Sequence, residues 1–153
     1  MKTILVPIDF SPVTHLVMRE AARLARFAKA RVVLLNAVQP PIVATDYGLM
    51  ADNIGFYLNA MEKDADRRLG RLQARLRDAG LRVETVRLTG LSVTGIIAEA
   101  KKRSADYIVI GSHGHTAFYD LLVGSTTGGV LKRALCPVVV VPAPKGKTRQ
   151  AKR

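Results

Sequence analysis

Short apolar segments alternate along this chain with longer segments in which apolar residues recur every three or four positions. Five of the short segments have the composition of β-strands, and four of those are almost continuously apolar, as in a parallel sheet covered on both faces. They span residues 4–8, 32–35, 83–88, 107–110 and 138–141. The segment 83–88 alternates instead, with Val83, Val86 and Leu88 among polar residues, which is typical of a strand at the edge of a sheet.

Amphipathic segments separate the predicted strands. In the first, Ser11 can cap a helix and Pro12 suits its first turn, and we expect that helix to end near Lys29. The second segment has the clearest helical periodicity and should end at Gly80. Its predicted core positions are Leu58, Met61, Ala65, Leu69, Leu72 and Leu76.

The third and fourth helices are predicted at residues 92–103 and 125–135, so strands and helices alternate throughout. This order predicts one α/β domain over residues 1–144, a three-layer αβα sandwich with a five-stranded parallel sheet. Right-handed crossovers leave a ligand-binding crevice at the carboxyl ends of the strands, where the winding direction reverses. With the strand order 3-2-1-4-5, the crevice lies between the first and fourth strands. Residues 38–55 are predicted to form a long loop, a candidate lid or partner surface.

Candidate binding residues follow these two strands. Asp9 comes directly after the first strand. The residues that end or follow the fourth strand are Ile110, Gly111, Ser112, His113 and Gly114. A further stretch, Gly124-Ser125-Thr126-Thr127, opens the fourth helix. Glycines let a ligand approach closely, and hydroxyl groups and free helix amides hold phosphate oxygens, so this arrangement indicates a polyphosphate site.

Asp9 would face the same ligand from the opposite side of the crevice. Its carboxylate is a candidate acceptor for ribose hydroxyls or an adenine amine. The alternative role is a solvated carboxylate near a helix N-terminus, where the helix dipole stabilises it modestly.

The glycines after the fourth strand form a spaced motif. Gly-x2-Gly-x9-Gly-(Ser/Thr) is met by Gly111, Gly114, Gly124 and Ser125. An opening segment, residues 4–11, and a closing segment, residues 136–141, occur in the matching order. On these three segments the chain, from Met1 to about Pro142, resembles the universal stress protein family in its ATP-binding branch. The resemblance implies an adenine-nucleotide alpha-hydrolase-like fold.

The resemblance also implies roles for residues of this chain. Pro7, Asp9 and Ala37 would line the adenosine pocket, next to Ile110 at the end of the fourth strand. Gly111 and Gly114 would lie on the ribose and phosphate side, where His113 flanks the phosphates. The polyphosphate would be held by Gly124, Ser125, Thr126 and Thr127. The implied ligand is ATP, expected with Mg²⁺.

Two further expectations concern the end of the domain. The apolar strand 138–141 would be a sheet edge, which is an aggregation hazard unless it is covered. Antiparallel pairing with a second copy would cover it and is also implied by the resemblance, so we expect a homodimer. One departure from the family pattern is Gly128-Gly129, where two helical glycines would cost about 1 kcal/mol each.

The composition of the chain disfavours a membrane protein, a secreted protein and a nucleic-acid-binding protein. No apolar run approaches the roughly 20 residues of a membrane span, and the N-terminus lacks the features of a signal peptide, so we expect a cytoplasmic protein without a membrane partner. The net charge is +12, and five of the 24 basic residues lie in residues 145–153, a predicted disordered tail. A solubilising tail is the simpler interpretation, although it could also dock a partner. With aromatic residues at 5%, we do not expect nucleic acid as a partner.

Several kinds of site are disfavoured by the residues. Neither a P-loop nor a Gly-x-Gly-x2-Gly after the first strand is present, and a histidine pair at His113 and His115 without Cys or clustered carboxylates is more typical of a loop than of a metal site. Cys136 is expected to be a buried, inert thiol.

The segment 111–127 offers only Asp120 as an acid and no Lys or Arg, so we expect slow or partner-dependent ATP hydrolysis at most, in a nucleotide-dependent regulator. The alternative is a nucleotide-free interaction module that docks partners through the 38–55 loop or the tail.

Overall fold

The computed structural model describes residues 1–40, 51–112 and 123–143, without the side chains of residues 51–54. Five strands and four helices alternate along the described chain. The strands are β1 (Thr3–Pro7), β2 (Arg31–Val38), β3 (Val83–Thr89), β4 (Tyr107–Gly111) and β5 (Val138–Val141). The helices are α1 (Thr14–Ala28), α2 (Ala51–Asp78), α3 (Ser92–Lys102) and α4 (Ser125–Arg133).

The strands form one parallel sheet in the order β3-β2-β1-β4-β5, which confirms the predicted architecture. Because β1 lies between β2 and β4, the winding direction reverses there and the crevice predicted between β1 and β4 exists. The predicted edge position of β3 is also confirmed.

Side chains of the strands point alternately into two apolar layers. Ile4 and Val6 of β1, and Ile8 directly after it, pack on one face in a cluster with residues of α1 and α2. Leu5 packs on the other face with residues of α3 and α4, such as Ile96 and Val130. The central strands are therefore buried on both sides, which is why their sequences are continuously apolar.

Helix α2 differs from the sequence prediction at its N-terminal end. It begins at Ala51, so residues 51–55 of the predicted 38–55 loop are helical, while residues 41–50 lie outside the described residues. The prediction that Met61 belongs to the core is wrong, because its side chain is 43% exposed. At 28 residues the helix is about 42 Å long, whereas the seven residues of β3 span only about 23 Å, so the first turns of α2 extend past the sheet.

The start of α1 was also predicted wrongly. The helix begins at Thr14 rather than directly after Ser11, and within the described residues no side chain caps it. The Ser11 hydroxyl is buried without a hydrogen-bond partner, and Ser11 contributes its main-chain oxygen to the Thr14 amide instead. The predicted end of the helix is correct, since Lys29 closes it in the left-handed conformation.

The two glycines of α4 have different surroundings. A Cβ atom at Gly129 would lie 2.9 Å from a methyl carbon of Val93 on α3, whereas a Cβ atom at Gly128 would have nothing within 4 Å. Gly129 thus lets α3 and α4 approach closely. Of the two glycines that depart from the family pattern, Gly129 is therefore explained by packing against α3.

An ion-pair network ties the elements together on the amino-terminal side of the sheet. Arg103 contacts Glu99 at 2.8 Å and Glu84 at 2.7 Å, and Glu84 also contacts Arg31 at 2.9 Å. Hydrogen bonding to Arg103 is the main cause that lowers the pKa of both Glu84 and Glu99 below the ordinary value of 4.5. The network joins β2, β3 and α3, and Glu99 is the most deeply buried of its members.

None of the helices that the structure describes is both long and apolar enough to cross a membrane. The predicted cytoplasmic location stays a prediction, as does the disordered tail, because residues 145–153 lie outside the described residues.

Candidate functional site

A cavity of about 340 Å³ opens at the carboxyl ends of the strands, at the switch point between β1 and β4. That volume is within the range of small-molecule sites in proteins. Its walls come from the ends of β1, β2 and β4 and from the N-terminal turns of α1, α3 and α4. Predicted site residues that line it are Pro7, Asp9, Ala37, Ile110, Gly111, Gly124, Ser125, Thr126 and Thr127.

The α4 wall is fixed to the end of β4 by two hydrogen bonds. The Gly124 amide donates to the main-chain oxygen of Ser112 at 2.7 Å, and the Thr127 hydroxyl donates to the main-chain oxygen of Gly111 at 2.6 Å. Thr127 is 4% exposed and its hydroxyl proton is already committed, so its share in binding a ligand would come from its backbone. The first amides of a helix have no partner within that helix, and at α4 they belong to residues that line the cavity.

Ser112 connects this wall to the end of β5. Its amide donates to the Val141 oxygen at 2.8 Å, and its Oγ accepts a hydrogen bond from the Ala143 amide at 3.0 Å. Ser112 is 7% exposed. The cavity wall and the edge strand are therefore one hydrogen-bonded unit.

The β1–α1 connection forms the opposite wall. One Asp9 carboxylate oxygen accepts the Ser11 amide at 2.9 Å, which holds the exposed side chain in place. Phe10 has a φ of 60°, a left-handed conformation that is uncommon for an aromatic residue. The Arg68 guanidinium lies 5.2 Å from the centre of the Phe10 ring, so α2 packs on the strained turn. Backbone strain of this kind clusters at ligand sites.

Asn36 lies at the end of β2 and lines the cavity. Its side-chain amide donates to the Ile8 oxygen at 2.7 Å, and the Ile8 amide donates to the Leu35 oxygen, also at 2.7 Å. These bonds fix the end of β1 directly before Asp9. The residue is 7% exposed.

The structure therefore brings together the residues predicted from both sides of the crevice. His113 and Gly114, which were also predicted, lie outside the described residues. Sequence reasoning missed other lining residues, namely Ile8, Val13, Thr14, Val17, Leu35, Asn36, Gln39, Ser92 and Ile96. For Asn36 a signal existed, because it is the one polar residue in the apolar run of residues 32–38. For the apolar residues, the sequence carries no signal that distinguishes a residue lining a cavity from a residue of the core.

Metal ligands and reactive groups are sparse in the part of the chain that the structure describes. It contains no cluster of three or more His, Cys, Asp or Glu side chains that could hold a metal ion. Cys136 is half-buried, and burial, followed by the charge of Asp106, raises the pKa of its thiol. A raised pKa keeps the thiol protonated, although the thiol is only half-buried where full burial was predicted, and its inert role stays a prediction.

A parallel sheet whose winding direction reverses at a cavity defines a doubly wound α/β protein with a candidate ligand site at the switch point. The sequence pattern of the universal stress protein family matches residues 1–142. The chain belongs to the universal stress protein family.

Individual relatives agree with this assignment. The chain is 30% identical over 145 residues to universal stress protein MJ0531 of Methanocaldococcus jannaschii, covering 94% of this chain and 84% of the relative. Among solved structures, universal stress protein UspA from Lactobacillus plantarum superposes with a TM-score of 0.81 at 26% identity, covering 92% of this chain and 97% of the other. The universal stress protein from Archaeoglobus fulgidus in complex with dAMP has a TM-score of 0.65 at 23% identity, with 92% and 97% covered.

Proposed function

We propose that this chain binds ATP in the cavity at the switch point and acts as a nucleotide-dependent regulator. The observation that carries the proposal is the pairing of two different chemistries in one cavity: the Asp9 carboxylate on one wall and the N-terminus of α4 on the other. A carboxylate suits ribose hydroxyls or an amine, and helix amides suit phosphate oxygens. A nucleotide carries both kinds of group.

The polyphosphate would lie at α4. Positive charge of the helix dipole and unpaired amides favour an anion there, and the hydroxyls of Ser125 and Thr126 add donors. The two hydrogen bonds between α4 and the end of β4 hold these groups in place before a ligand arrives. Such preorganisation lowers the cost of ordering the site on binding.

The nucleoside would lie between β1 and β2, against Pro7 and Ala37, with Asp9 accepting from the ribose. The dAMP complex of the Archaeoglobus fulgidus relative makes adenine nucleotides the first ligands to test. Because the identity to that relative is 23%, it supports the fold alone, and the residues of this cavity carry the argument.

Binding with little turnover is the function that the residues support best. Among the described residues that line the cavity, Asp9 is the one carboxylate, and Lys and Arg are absent. Phosphoryl transfer requires charge neutralisation together with a group that orients the attacking water. Slow hydrolysis at most, with Mg²⁺ arriving on the nucleotide, is therefore part of the proposal.

The test is calorimetric titration of the full chain with ATP and Mg²⁺. We expect wild-type binding, and a loss of about tenfold in affinity for Asp9→Ala, because one hydrogen bond to a charged acceptor is removed. Asp78→Ala is the matched control: it removes a carboxylate at the end of α2, away from the cavity, and should bind as the wild type does. No uptake of ATP by the wild type would overturn the proposal and favour the interaction-module alternative.

A further inference from the structure

The orientation of the Asn36 side chain is fixed by its partner. The atom that faces the Ile8 oxygen, at 2.7 Å, must be the amide nitrogen, because a main-chain carbonyl oxygen can only accept a hydrogen bond. The other side-chain atom is therefore the carbonyl oxygen, Oδ1. Asn36 can therefore accept a hydrogen bond from a ligand through Oδ1, while its side-chain nitrogen already donates to Ile8.

The Oδ1 atom is available in the cavity. The described residues supply no hydrogen bond to it, and the fully buried side-chain oxygens without a partner in that part of the chain are those of Ser11 and Thr14. Oδ1 is consequently accessible to solvent, although Asn36 as a whole is only 7% exposed. The residue lines the cavity. An accessible acceptor in a cavity wall selects for a donor, because a ligand acceptor placed against it would leave both groups unpaired.

We propose that Asn36 determines base specificity, with Oδ1 accepting a hydrogen bond from the exocyclic 6-amino group of adenine. The proposal rests on the proposed function and adds the group that reads the base. In this proposal the Asp9 side chain, which is exposed, accepts from the ribose hydroxyls, and α4 holds the phosphates. The donor left for the deep acceptor on β2 is then the amino group of the base, and a 6-oxo base presents an acceptor there instead.

The experiment compares ATP with inosine triphosphate, which differs in carrying an oxygen in place of the 6-amino group. Affinities of both nucleotides are measured by calorimetry for the wild type, for Asn36→Ala, and for Asn59→Ala as a matched control on the exposed surface of α2. We expect the wild type and Asn59→Ala to favour ATP by about tenfold or more. In Asn36→Ala the preference should fall to about twofold or less, because the residue that distinguishes the two bases is gone.

The outcomes separate this inference from the proposed function. Binding of ATP without preference over inosine triphosphate in the wild type overturns the role of Asn36 and leaves ATP binding intact. An equal loss of both affinities in Asn36→Ala, with the preference retained, shows that the residue only supports β1 and also overturns it. Absence of ATP binding overturns both. Should Asn36→Ala not fold, the wild-type comparison decides, since it needs no variant.

Discussion

At the scale of single residues, chemistry was easier to predict than environment. Asp9 and the Gly124–Thr127 stretch were recognisable because their residue types suit a nucleotide, and the structure places them on one cavity. Asn36 was missed, because its meaning depends on a partner, Ile8, that is 28 positions away in the sequence. Met61 was assigned to the core because its spacing is helical, but periodicity does not show where a helix extends past the sheet.

The two adjacent glycines of α4 give opposite predictions. Gly128→Ala should raise the free energy of unfolding by about 1 kcal/mol, because alanine has the higher helix propensity and its Cβ meets no atom within 4 Å. Gly129→Ala should lower it, because its Cβ would lie 2.9 Å from Val93, whose branched side chain is stiff. Urea denaturation of both variants measures the difference. Equal stabilisation by the two substitutions would contradict the close approach of α3 and α4.

At the scale of elements, the type and order of all nine described strands and helices were predictable, and their ends less so. Continuous apolar runs identify buried strands because both faces of the sheet are covered. The start of α1 was misplaced because Ser11 can serve a helix either through its side chain or through its main chain, and the sequence does not distinguish them. Helix α3 ends one residue early and α4 two residues early relative to prediction, a common uncertainty for helix termini.

The ion-pair network between β3, β2 and α3 should make the fold acid-sensitive. Because the pKa values of Glu84 and Glu99 are lowered in the folded state, their contribution is complete above pH about 4.5 and is lost as the pH falls through the folded values. Glu99→Gln should cost about 1–2 kcal/mol at pH 7 and make the decline in stability below pH 4.5 shallower.

Denaturation curves between pH 3 and pH 7 (about the range where carboxylates titrate) test this expectation. Glu20→Gln is the control, since Glu20 forms ion pairs with Arg19 and Arg23 on the surface of α1, where such pairs contribute little. If the acid slope of Glu99→Gln equals that of the wild type, the network does not produce the pH dependence.

At the scale of the whole molecule, the two edges of the sheet differ in chemistry. Edge strand β3 carries Glu84 and Arg87, which are both ion-paired to other elements. Edge strand β5 consists of four valines, and Val139 is 38% exposed. The apolar edge is the one on which the predicted homodimer depends, and it is hydrogen-bonded to the cavity wall through Ser112.

We expect the full chain to be a dimer at micromolar concentration in sedimentation experiments, paired through β5. Val139→Lys should convert it to a monomer, because a charge placed on an edge strand opposes pairing. Thr85→Lys, an equal change in charge at an exposed position on β3, should leave the dimer unchanged. A monomeric wild type, or a dimer that survives Val139→Lys, would count against pairing through this strand.

The unequal edges also set a limit on growth. A chain with one apolar edge can add one further strand there. Pairing of two such edges would cover both, so the assembly would stop at two copies at any concentration. A chain with two apolar edges could pair on both sides of its sheet and would form an open, elongating polymer. If the chain pairs through β5 as predicted, the charged side chains of β3 would keep the assembly at two copies, and replacing them with apolar residues would allow an elongating polymer.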